Sequence, residues 1–194
     1  FDKKDREFGW SAQVSKNVDN SDYTSIRKNQ NLSAYRTEKS LNVGENLEIS
    51  TQLDLTEPIT KKLSLEAGLK GIMRFVVSDY HFDTLNYVSQ EYFTLDNRNN
   101  TFNYYQNVGA GYLQFNYVIN ENYSLKIGSR LEFTSFGGNI KKPSDTSFSG
   151  KPYSNFIPFF NLSRKIGKAG FVKFNFTQRI QRPSLFFLNP YTNF

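Results

Sequence analysis

From Leu63 to Val77 the chain alternates with a period of two. Leu63, Leu65, Ala67, Leu69, Gly71, Met73, Phe75 and Val77 share one parity, and Ser64, Glu66, Gly68, Lys70, Ile72 and Arg74 share the other. Successive side chains of an extended chain leave opposite faces, so this run predicts a strand with one apolar and one polar flank. The same pattern sets Leu47, Ile49, Thr51, Leu53 and Leu55 against Glu48, Ser50, Gln52, Asp54 and Thr56. It sets Tyr123, Leu125, Ile127, Leu131 and Phe133 against Ser124, Lys126, Gly128, Arg130 and Glu132, and Val172, Phe174, Phe176 and Ile180 against Lys173, Asn175, Thr177, Arg179 and Gln181. Weaker runs lie at Leu113 to Tyr117 and Phe156 to Leu162, with a short first strand around Phe8, Trp10, Ala12 and Val14. No segment has a helical period.

The breaks between these runs alternate in length. Long ones (Lys16 to Val43, His81 to Phe102, Gly137 to Pro152) follow short ones (Glu57 to Lys61, Asn120 to Asn122, Lys165 to Gly170). In an antiparallel meander alternate connections lie at opposite ends, so short and long connections segregate to two rims, as in outer-membrane barrels. The runs Lys62 to Tyr80 and Tyr123 to Phe136 exceed the roughly 9 to 11 residues of a membrane strand, whereas soluble strands average about five or six. The stretch Val18 to Asn42 reads equally as a loop or as a longer strand pair. Charges on the polar flank need water or one another, which a wet lumen supplies and an ordinary core does not. The expected fold is all-β: an antiparallel up-and-down meander forming a partial transmembrane β-barrel of about seven strands. Residues 1–194 are expected to be one segment of such a domain, with the remaining strands belonging to a longer polypeptide.

Composition narrows the chemistry. Phe 19, Tyr 12 and Trp 1 make 16% of the chain aromatic, which favours strands. Aromatics near strand ends (Phe8, Trp10, Tyr117, Tyr123, Phe171) fit a girdle at headgroup level, or ordinary sheet packing. Cys 0 and His 1 remove disulfide scaffolds, thiol nucleophiles, cysteine zinc sites and two-imidazole mechanisms. No carboxylate pair sits in an apolar pocket, so neither an enzyme nor a cofactor or metal is expected. The net charge of +6 suits nucleic acid or a solvated surface. The aromatics lie on the apolar flank rather than among the cations, which argues against nucleic-acid stacking.

Candidate contacts follow from facing. Glu66, Lys70, Arg74, Gln114, Lys126, Arg130, Glu132, Asn175, Arg179 and Gln181 line the wet flank, where they touch a ligand or a plug or simply pair across strands. His81, Tyr87, Tyr92 and Phe93 belong to a long outer connection suited to binding, and equally to a mobile crown. Lys141, Lys142 and Lys151 lie in the next one and face acidic polymers or only solvent. Gly109 and Gly111 read as sites of close approach or bending.

The segments NVGAGYLQFNY (107–117), YSLKIGSRLE (123–132), FIPFFNL (156–162) and QRIQRPSLFFLNPY (178–191) resemble the barrel of TonB-dependent outer-membrane receptors, more narrowly the outer membrane protein beta-barrel family. The matching positions are Gly128, Arg130, Glu132, Pro158, Arg179, Arg182, Pro183, Leu188, Asn189, Pro190 and Tyr191. DLTEP (54–58) and EAGLK (66–70) resemble the family's turn and following strand; Leu55 replaces an aromatic and Ser129 a leucine. The resemblance runs from about Val43 to the end. It implies a receptor in the outer membrane of a Gram-negative bacterium, binding and importing a siderophore, glycan or peptide. Implied partners are outer-membrane lipid, the rest of the barrel and its plug, the TonB complex through the missing N-terminal part, and a surface lipoprotein, with no nucleic acid. The alternative is a structural barrel that docks surface lipoproteins or secretion machinery.

Overall fold

The computed structural model describes residues 5–141, 145–167 and 170–181. Among them are nine strands: β1 Glu7–Lys28, β2 Ala34–Pro58, β3 Leu63–Asn86, β4 Glu91–Thr94, β5 Asn100–Asn120, β6 Tyr123–Lys141, β7 Thr146–Ser149, β8 Tyr153–Ile166 and β9 Gly170–Thr177. Seven follow one another in an antiparallel meander, β1-β2-β3-β5-β6-β8-β9, while short β4 and β7 pair with the outer ends of β3 and β6. Among the described residues no helix is long and apolar enough to cross a membrane.

Side chains that mimic backbone close the connections. Thr60 Oγ1 accepts from the amides of Lys62 and Leu63, and Asn120 Oδ1 from those of Asn122 and Tyr123. Asn29 and Asn86 do the same at the opposite rim.

Register carries the alternation across the whole sheet. Leu53, Leu69, Gly111, Leu131 and Phe156 form one cross-strand row. The adjacent row is Gln52, Lys70, Ala110, Glu132 and Asn155. The first row opens outward: Leu69 is 62% exposed and Phe156 62%. The second is sheltered, Glu132 being 6% exposed. A sheet that hides its glutamates and bares its leucines is inside out for water. It suits a wall whose convex face meets hydrocarbon and whose concave face stays wet. Trp10 shows the same adaptation: on the convex face, its indole Nε1 donates to Thr51 Oγ1 at 3.1 Å, so no polar N–H is left bare.

Two glycines let rings lie flat on the concave face. A Cβ on Gly68 would stand 2.3 Å from Tyr112 Cε1, and one on Gly128 would stand 2.5 Å from Phe159 Cζ. Gly109 has nothing within 4 Å of that point, so close approach falls at Gly68 and Gly128 rather than at Gly109.

The long breaks are shorter than the sequence suggests. Lys16 to Val43 is an extended strand pair in which Lys16 faces Leu47 and Lys28 faces Ala34. Its polar convex residues hid the alternation, because this part stands beyond the apolar belt. His81 to Phe102 and Gly137 to Pro152 likewise contain continued strand plus β4 and β7. At the far edge β9 stops at Thr177, so Arg179, Ile180 and Gln181 lie outside regular strand, with no ladder fixing their face. Above the belt the concave face turns apolar: Val76, Phe102 and Tyr104 form a small core covered by Phe136, Ile140 and Phe148.

Candidate functional site: the concave wall and its outer lip

Every second residue of a strand reaches the concave wall, and the rows bring the expected polar set together there. Arg74 in β3 meets Glu48 in β2, Nη2 to Oε2 at 2.5 Å and Nε to the same oxygen at 3.0 Å. Glu66 accepts from Gln114 and Asn116 of β5. Asp54 accepts from Gln52 Nε2 and, at 2.6 Å, from the Tyr112 hydroxyl, which crosses β3 above Gly68. Arg130 holds Glu132 within β6 at 2.7 Å. Asn175 bonds Asn161. Lys70 and Lys126 form no ion pair among the described residues.

Such pairs are worth roughly 0.2 to 1 kcal/mol each where water reaches them. Their effect is to brace a hydrated wall. Buried polar atoms without a hydrogen-bond partner among the described residues lie on the same wall: Ser40, Asn46, Asn100, Asn116, Thr134 and Asn155 all occupy concave positions. Among the described residues no group of three His, Asp or Glu could hold a metal.

The outer connection divides between the two faces. His81 lies on the convex side, its Nε2 3.3 Å from Asp83 and its Nδ1 3.4 Å from Asn99. Tyr87 bonds Thr37 at 2.7 Å and Lys39 stands 4.1 Å over the Tyr92 ring, so both tyrosines fasten the hairpin to β2. Phe93, paired with Thr84, faces the concave side and is half exposed. Lys141 pairs with Thr101 at the top of β5, Lys151 is exposed, and Lys142 lies outside the described residues.

One constellation escaped the sequence reading. Glu38 is buried on the concave side, and both Arg36 Nη2 (2.7 Å) and Arg98 Nη1 (2.5 Å) donate to its Oε1. Arg98 also lies 4.4 Å over the Phe82 ring. The signal was present in the even parity of Glu38, Ser40 and Asn42 against Leu41 and Val43, but polar residues on both flanks obscured it.

The motif residues Arg182, Pro183, Leu188, Asn189, Pro190 and Tyr191 lie outside the described residues. In comparison with known families, the profile described as the outer membrane protein beta-barrel family matches residues 1–194, so the likeness extends upstream of Val43 to the first residue. No curated protein sequence matches the chain.

Proposed function

This chain belongs to the outer membrane protein beta-barrel family of the bacterial outer membrane, and on that premise we propose that it is wall and outer lip of a TonB-dependent receptor that binds a nutrient and imports it. The observation that carries this reading is the braced, charged concave wall that runs from the turn at Thr60 up to Arg74 and gives way, through the apolar band at Val76, Phe102 and Tyr104, to the lip at Glu38, Phe82 and Phe93. A purely structural barrel needs no such graded surface.

A ligand would meet the lip first and then a path lined by Lys70, Lys126, Arg74–Glu48 and Arg130–Glu132. The direct test is uptake by cells carrying the full-length protein, with and without the TonB complex. Energy-dependent uptake lost on deletion of either supports import; binding without uptake contradicts it.

A second reading has its own support. β1, β2 and β3 continue well past the Lys16–Glu45 ion pair (2.9 Å) that ends the apolar belt. From Lys16 to Lys28 that adds roughly 40 Å of strand at about 3.3 Å per residue. Such a tall rim suits docking of a surface lipoprotein. Co-purification that survives loss of uptake, and is lost on shortening this hairpin, distinguishes it.

A further inference from the structure

Above Asp79 the concave faces of β1 to β4, with the turn after β4, bring together Arg27, Arg36 and Arg98 and an aromatic shelf. Cross-strand rows place Arg27 opposite Arg36; Ser25, Glu38, Thr84 and Phe93 in line below; and Tyr23, Ser40 and Phe82 in line below those. We propose that this lip is a binding site for a small aromatic acid, a ring bearing a carboxylate or phosphate; resting on the import reading, this names the substrate class for it.

Charge comes first. Arg27 and Arg36 are directly opposed in the row above Glu38, which gathers positive charge at the lip. Glu38 is shared: Arg36 and Arg98 each give one N–H to the same oxygen of it. A guanidinium carries five N–H donors in a planar fork that matches carboxylate and phosphate. Arg36 is 43% exposed at its side chain and Arg98 29%, so both present remaining donors to the lumen. Glu91 is a second acid of this face, opposite Asn86 near the hairpin tip, and Asp96 lies in the turn before Arg98; His81, Asp83 and Lys39 belong to the convex side.

The shelf supplies the ring contact. Phe93 is 50% exposed and Tyr23 40%, in adjacent rows on the arginine side. Phe82 lies beneath Arg98 and stacks on Tyr80 at 5.9 Å. Burial, with Tyr23 beside it, raises the Tyr80 hydroxyl above the usual tyrosine range, so it adds no negative charge. Among the described residues Ser40 Oγ, in the row between Tyr23 and Phe82, and both side-chain polar atoms of Asn100, opposite Tyr80, are buried without a partner, in residues 2% and 1% exposed. Unpaired polar groups so placed favour an incoming hydrogen-bonding ligand over a purely apolar one.

The test is calorimetric titration of the full-length protein in detergent with phenyl phosphate, inorganic phosphate and benzyl alcohol. Phenyl phosphate is expected to bind more tightly than either half-molecule. Arg36→Gln and Arg98→Gln should each weaken it about tenfold, as loss of a charge-assisted contact does. Phe93→Ala, a change at an exposed ring that leaves the fold alone, should weaken phenyl phosphate and leave inorganic phosphate unchanged. Glu91→Gln should tighten both anions. Equal affinities in all variants, preference for benzyl alcohol, or no binding of any probe overturns the site. Because no uptake is measured, arginine-dependent binding in cells that fail to import contradicts the import reading alone, while import with arginine-independent binding contradicts this site alone.

Discussion

Leu69 and Lys70 are neighbours in sequence and face different media. With Leu69 on the convex row beside Leu53 and Gly111, Leu69→Arg puts a cation at mid-belt depth and should weaken assembly by roughly 2 to 4 kcal/mol. Phe174→Lys should do the same from β9, whereas Lys70→Leu, on the wet side, should assemble normally; folding titrations in lipid vesicles measure all three. Glycines divide the same way. Gly68→Val drives a side chain into Tyr112, Asp54 and the Leu53 carbonyl and should cost about 1 to 3 kcal/mol, while Gly109→Val meets open space and should cost far less. The facing of these residues was readable from parity alone. Which glycines were crowded was not, because that depends on a ring from the next strand, and the sequence nearer Gly109 offered no sign that its surroundings were empty.

At the scale of elements, the strands from Leu63 to Val77 and from Tyr123 to Phe133 were legible because their apolar flank meets hydrocarbon along its whole length. β1 and the start of β2 were not: beyond the Lys16–Glu45 pair both flanks carry polar residues, and the period-two signal fades though the ladder continues. The Arg36, Glu38 and Arg98 cluster fell in that silent stretch. Glu38 ties β2 to the outer connection of β3, helped by Tyr87 on Thr37 and Lys39 on Tyr92. Replacing Glu38 by Gln removes the anion that Arg36 and Arg98 share. The hairpin from Asn86 to Leu95 should then become cleavable by external protease on intact cells, at least severalfold faster than in the parent protein, with barrel assembly unchanged. An unaltered cleavage rate would show that the tyrosine contacts alone hold the hairpin.

Over the whole molecule, the sheet has two free edges among the described residues, at β1 and β9, each with backbone groups that hydrocarbon cannot satisfy. Expressed alone, residues 1–194 should therefore require detergent or pairing strands and should not persist as a monomer in plain buffer; light scattering after detergent removal checks this. The central claim is that the apolar flank meets lipid and the polar flank meets water. In a background freed of any other cysteine, single cysteines at positions 65 to 75, Gly68 apart, can each carry one fluorescent label in reconstituted vesicles, residues 1–194 themselves containing none. The account predicts quenching by nitroxide-bearing lipid at odd positions and by a water-soluble quencher at even ones; quenching without that alternation, or with the parities reversed, would contradict it.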